Sequence, residues 1–153
     1  MNKNYDKVTI GKGKEKRKIP KTYLPKTLSK EDKKKQEKSI LEEKKRPKLE
    51  SFESRRSPFI IKFEQLYNNK ITNKKFIHDN LLSYAGQKQV IEKGMSAYFN
   101  SGSRPNQTST SWALARLASV LVGGKAQRID KDIVKKYGKG KLKQDVIKKY
   151  FES

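Results

Sequence analysis

Few residues in this chain have the types and spacings that carry out covalent or metal chemistry. His78-Asp79 stands alone: with one histidine and no cysteine in 153 residues, histidine and thiolate metal centres, and nuclease sites needing two histidines, lack their ligands. It reads as a surface or helix-end histidine. Asp130-x-Asp132 offers two carboxylates to a cation, but no third acid stands at useful spacing, and helix capping accounts for Asp130. Gly123-Gly124-Lys125 lacks the upstream glycine and the hydroxyl residue after the lysine that a phosphate-binding loop requires. Gly11-Lys12-Gly13-Lys14 is not preceded by a strand pattern. No nucleophile stands near a base. The expectation is a non-enzymatic chain with no cofactor, no metal and no small-molecule substrate.

Positive charge is what the chain has in excess. It holds 38 Lys+Arg against 16 Asp+Glu, a formal net charge of +22. Such a surplus points to a polyanion or an acidic protein surface as partner. Two groups of residues are candidates for contact with nucleic acid or a partner protein. Lys12, Lys14, Lys16, Arg17 and Lys18 form a block near the N-terminus, and Lys135, Lys136, Lys139, Lys141 and Lys143 gather near the C-terminus. Arg104, in a polar loop, joins them. Lysine outnumbers arginine, which favours phosphate contact over bidentate base readout and therefore non-specific binding. No zinc-finger, basic-zipper or aromatic RNA-binding signature is present. No run approaches the 18 or so apolar residues of a membrane span, Met1–Ile10 has no signal-peptide core, and no membrane partner is expected.

The elements that must position this charge divide at Ser57. Residues 1–57 carry 20 Lys+Arg, 9 Asp+Glu and only 9 Leu, Ile, Val or Phe, too few to offset the entropy of ordering. They read as a basic, extended and partly helical arm, ordered only on assembly. Within it, Ser29 with Asp32 three residues on resembles the capping box of a helix, and Pro47 stops that helix. Residues 58–153 hold 25 such apolar residues and read as a small helical domain. Pro58 opens one helix. Thr72 or Asn73 caps the next, and Gly86 breaks the chain before a third that Ser101-Gly102 ends. Trp112 to Val122 is apolar nearly all round and is expected as the central buried helix, with Trp112, Leu117 and Leu121 in the core. Asp130 caps Lys131–Tyr137, and a last amphipathic helix holds Leu142, Val146, Ile147, Tyr150 and Phe151. The fold class is all-α.

Residues 101–126 read Ser-Gly-Ser-Arg-Pro-Asn-Gln-Thr-x-x-Ser-Trp-x-x-Ala-Arg-Leu-Ala-Ser-Val-Leu-x-Gly-Gly-Lys-Ala, and Asp130-x-Asp132-Ile133 comes shortly after. Over roughly Gln87 to Tyr137 this resembles a small domain of unknown function in proteins of large eukaryotic DNA viruses and tailed phages. The resemblance implies a viral setting and supplies no catalytic residues. Physically, Thr108 suits a cap for the central helix, and Arg116 can stack on Trp112 or pair with Asp130 or Asp132. Together these readings predict a structural virion protein: minor capsid, portal-vertex or capsid-interior. Its basic arm would tether it to capsid or portal subunits and to packaged DNA, within the virion and, during assembly, inside the host cell. The alternatives are a free, sequence-non-specific nucleic-acid-binding accessory protein and a ribosomal protein.

Overall fold

The computed structural model describes residues 6–152. Among them are eight α-helices and one two-stranded antiparallel sheet, so the protein is mostly α-helical. The chain forms two compact units.

The first unit joins the described residues up to Arg55 with Ser96–Ser109. It opens with a hairpin that the sequence pattern does not anticipate: β1 (Lys7–Ile10) pairs with β2 (Arg17–Pro20) in the register Val8↔Ile19 and Ile10↔Arg17. A strand therefore does precede Gly11-Lys12-Gly13-Lys14, but a 3-10 turn (Gly13–Glu15) and a second strand come after it, not the helix a phosphate loop needs. Gly11 and Gly13 take φ of +83° and +59°, which lets the chain turn. α1 (Lys30–Leu41) starts where Ser29 Oγ accepts the Asp32 amide at 3.1 Å. The return half of the box runs through another residue: Ser51 Oγ accepts the Ser29 amide, and Ser51 donates its amide and hydroxyl to the Asp32 carboxylate. Those Ser51 bonds hold the Asp32 carboxyl below its ordinary pKa. α1 ends at Leu41, ahead of Pro47, because Glu43 turns left-handed at φ 55°. Ile10, Ile19 and Ile40 are buried together, with Val8, Tyr23, Leu24 and Leu41 against them.

Residues 1–57 were expected to order only on assembly; in this structure their described part packs with a distant stretch of the same chain. Their few apolar side chains suffice because a distant stretch of sequence completes the core. Gly102 lies against Ile40, Ser103 accepts from Gln36 at 2.9 Å, and the Tyr98 hydroxyl accepts the Arg46 amide at 2.6 Å. Asn106, at φ 61°, accepts the Leu49 amide and donates to the carbonyls of Leu49 and Phe52.

The second unit comprises Arg56–Met95 and the described residues from Thr110 onward. α2 (Pro58–Tyr67) begins with Ser57 as cap and Pro58 in the first turn, where a missing amide costs nothing. Asn73 caps α3 (Lys74–Asn80). α4 (Tyr84–Asn100) starts before Gly86 and runs through it. A Cβ at Gly86 would meet Leu82 and the Tyr137 Cβ at under 3 Å, so that glycine serves close packing and breaks nothing. Gly94 likewise allows the Ala113 backbone of α5 (Ser109–Leu121) to approach. In α5, Ala113, Leu117, Ala118, Val120 and Leu121 are buried, as a central helix requires. Leu117 and Leu121 take their expected core places. Trp112 is only partly buried, and the large fully buried side chains of this unit are Phe63, Ile77, Leu82, Leu117 and Leu121. Gly123-Gly124 ends α5, and α6 (Lys125–Ile129), α7 (Lys131–Tyr137) and α8 (Gly140–Tyr150) complete the chain.

Candidate functional site

Solvent-facing lysine is the feature that recurs in both units. In the first, the hairpin presents one apolar face, Ile10 and Ile19, while Lys7, Thr9 and Lys18 point the other way. Lys12, Lys14 and Lys16 are exposed around its turn. Arg17 differs from its neighbours: it donates to the Asn100 carbonyl at 3.1 Å and pairs with Glu43 at 3.6 Å, which clamps the hairpin. Arg104 is exposed, and its guanidinium has no hydrogen bond or ion pair among the described residues. It does not hold the loop to α5. Asn106 secures that loop, and it does so on residues 49–52.

In the second unit, Lys135, Lys136 and Lys141 are exposed, and Lys139 and Lys143 are partly so. None of these five, and none of Lys12, Lys14, Lys16 and Lys18, forms an ion pair with a carboxylate among the described residues. Aromatic rings lie beneath some of them: Lys135 Nζ is 4.4 Å from the Phe151 ring centroid, Lys136 5.3 Å from Tyr137, and Lys149 5.2 Å from Tyr150. The sequence places Tyr150 and Phe151 on the last amphipathic helix, where both rings do pack against the core of this unit, and gives Tyr84 no role. The available signal was adjacency: Lys136-Tyr137 and Lys148-Lys149-Tyr150-Phe151 set cation beside ring.

The turn between α7 and α8 is fixed by a short bridge. Leu82 pairs with Gly138 in antiparallel fashion, the Ser83 amide donates to the Tyr137 carbonyl at 3.0 Å, and the Lys139 amide donates to the Leu81 carbonyl at 2.9 Å. His78 ends α3 beside this bridge. Its Nδ1 accepts the Tyr84 amide at 3.0 Å, satisfying a donor at the start of α4 that the helix itself leaves unpaired. The two rings stack at 4.0 Å and 7°. Asp79 is held by Lys75 at 2.9 Å.

Asp130 lies immediately before α7 but caps it with no side-chain bond. Its carboxylate instead accepts from Arg116 Nε and Nη2, both at 2.8 Å, and from Lys93 Nζ at 2.6 Å. Burial pushes its carboxyl pKa up, but the hydrogen bonds from Arg116 and Lys93 outweigh that and leave it lowered. Of the partners open to Arg116, the structure selects Asp130. A carboxylate so engaged is a structural brace and offers little to a cation. Asp132 is exposed, and no group of three or more potential metal ligands occurs among the described residues. Also among them, no helix is long and apolar enough to cross a membrane.

No curated protein and no solved structure matches this chain. A family model does match, over residues 20–138, which takes in β2's last residue, α1 and the whole stretch to the end of α7. The family thus reaches well upstream of Gln87, into the segment whose composition suggests an arm. By that match, across 119 of its 153 residues, the chain belongs to a family of unknown function, DUF5824.

Proposed function

We infer that this protein is a non-enzymatic binder of nucleic acid that works through its phosphates and without base specificity. The single observation carrying this reading is that Lys12, Lys14 and Lys16 of the hairpin turn and Lys135, Lys136 and Lys141 of α7–α8 are exposed and form no ion pair with a carboxylate among the described residues. Uncompensated like charges raise the energy of the folded state and are relieved when phosphates replace their counterions. The hairpin suits this role because Arg17 and its apolar face pin it down while Lys12, Lys14 and Lys16 stay exposed.

The motif resemblance favours a virion as the setting, with packaged DNA as the polyanion and capsid or portal subunits as neighbours. A tethering role for residues 1–57 has less support, because the described part of that segment packs with residues 96–109 of its own chain.

Salt-titrated binding to duplex DNA tests the reading. With some 6–10 phosphates contacted, affinity falls by about 10³–10⁵ between 50 and 200 mM salt. The triple variant Lys12→Gln, Lys14→Gln, Lys16→Gln reduces the salt slope by about 2–3, at roughly 0.9 per lost contact. A wild-type affinity that does not change with salt refutes phosphate contact.

A further inference from the structure

We propose that the second unit binds single-stranded nucleic acid, with Tyr84 as a stacking platform for an unpaired base and the lysines of the α7–α8 turn on the adjoining phosphates. This rests on the phosphate-binding reading above and specifies which form of nucleic acid this unit takes.

The starting point is an aromatic side chain that the core does not use. Tyr84 is 49% exposed although one face of its ring is covered by His78 at 4.0 Å, so what meets solvent is the other face and the edge. His78 is oriented by the hydrogen bond from the Tyr84 amide, and the two rings are within 7° of parallel. The result is a flat, preorganised aromatic surface, the arrangement on which bases stack without regard to sequence.

The neighbourhood supplies cations for the adjoining phosphates. The Leu82–Gly138 bridge brings the start of α4 against the α7–α8 turn, with the Ser83 amide on the Tyr137 carbonyl. Lys136 lies over the Tyr137 ring, Gln89 holds the Tyr137 hydroxyl at 3.2 Å, and Lys139 comes directly after the bridge with Lys141 beyond it. The nearby carboxylate Asp79 is hydrogen-bonded by Lys75 and also feels the charge of Lys139. A duplex hides the faces of its bases in its own stack, so only an unpaired base reaches Tyr84, whereas the lysines serve either form.

The test uses the full-length protein, a fluorescent 20-nucleotide thymidine oligomer and a duplex of equal length, with anisotropy read at several salt concentrations. Tyr84→Ala weakens single-strand binding by about 5- to 150-fold, the loss of one base–aromatic stack, and leaves duplex affinity within about twofold. Its salt slope equals that of the wild type, because no phosphate contact is lost, and Tyr84→Trp restores the affinity. An unchanged thermal melt establishes that Tyr84→Ala is folded; if it is not, Tyr84→Leu replaces it, since that residue keeps bulk and removes the ring. Equal losses on both substrates, or no loss on either, overturn the proposal. Wild-type binding to duplex alone overturns it while sparing the phosphate reading, and binding to neither substrate removes both.

Discussion

Replacing Asp130 disturbs the second unit more than any exposed charge does. The Asp130 side chain has no solvent exposure, and it accepts three charged hydrogen bonds, two from Arg116 and one from Lys93. Removing one partner of a buried ion pair costs about 3–5 kcal/mol, mostly through the charge left behind. Here the orphaned cations regain some water, because Arg116 is 18% and Lys93 47% exposed. The expected cost of Asp130→Ala is therefore at the low end, about 3 kcal/mol. For a chain of this length that is a fall in Tm of about 6–12 °C by calorimetry or circular dichroism. Arg116→Met costs less, since Lys93 remains on the carboxylate. Combining Asp130→Ala with Arg116→Met costs less than the sum of the two, with a coupling of about 1–3 kcal/mol. The pH dependence has a definite sign. The carboxyl pKa is lower in the folded protein than the value near 3.9 of an unfolded chain. Its contribution is therefore complete above that unfolded value and is lost as pH falls through the folded one. The Tm gap between wild type and Asp130→Asn stays constant from neutral pH to about pH 5 and narrows below about pH 4. An Asp130→Ala protein whose Tm equals that of wild type, or strict additivity with Arg116→Met, refutes the brace.

The packing sets further expectations. Leu117→Ala, at a site 1% exposed in α5, costs about 2–5 kcal/mol, and Trp112→Ala, at a half-buried site, costs less. Chemical denaturation that reverses this order places Trp112 in the core after all. Asn106→Gly loses three hydrogen bonds but keeps the left-handed backbone, while Asn106→Ala also incurs about 1–2 kcal/mol of steric strain. Equal melting temperatures for the two would deny that strain. A peptide of residues 1–57 is mainly coil by circular dichroism, because Tyr98, Gly102, Ser103 and Asn106 are missing from its core. Adding a peptide of residues 94–110 in excess raises its helicity. A cooperative melt of 1–57 alone contradicts the shared core.

Sequence and tertiary structure divided the information unevenly. Helix starts and stops were legible wherever a local backbone requirement names a residue: Ser29 and Asn73 as caps, Pro58 in a first turn, Gly102 and Gly123 at ends. The central helix was legible because apolar residues on every side can only be buried. The surplus of lysine, the absence of cysteine and the mostly helical class were also set by residue types alone. Three features were not, and each depends on residues far apart in the chain. The hairpin joins strands of four residues, too short for an alternating pattern, and forms because Ile10 and Ile19 meet Ile40. The folding of residues 6–55 depends on 96–109, a dependence that composition cannot register when it is counted within a window. Gly86 reads as a break because a glycine in a sequence carries the same letter whether it ends a helix or makes room for Tyr137. Trp112 was over-weighted for a related reason: size states how much surface a side chain can bury, and only the packing decides how much it does. The stacked His78–Tyr84 pair and the contact of Lys135 with the Phe151 ring likewise exist only once the chain has folded.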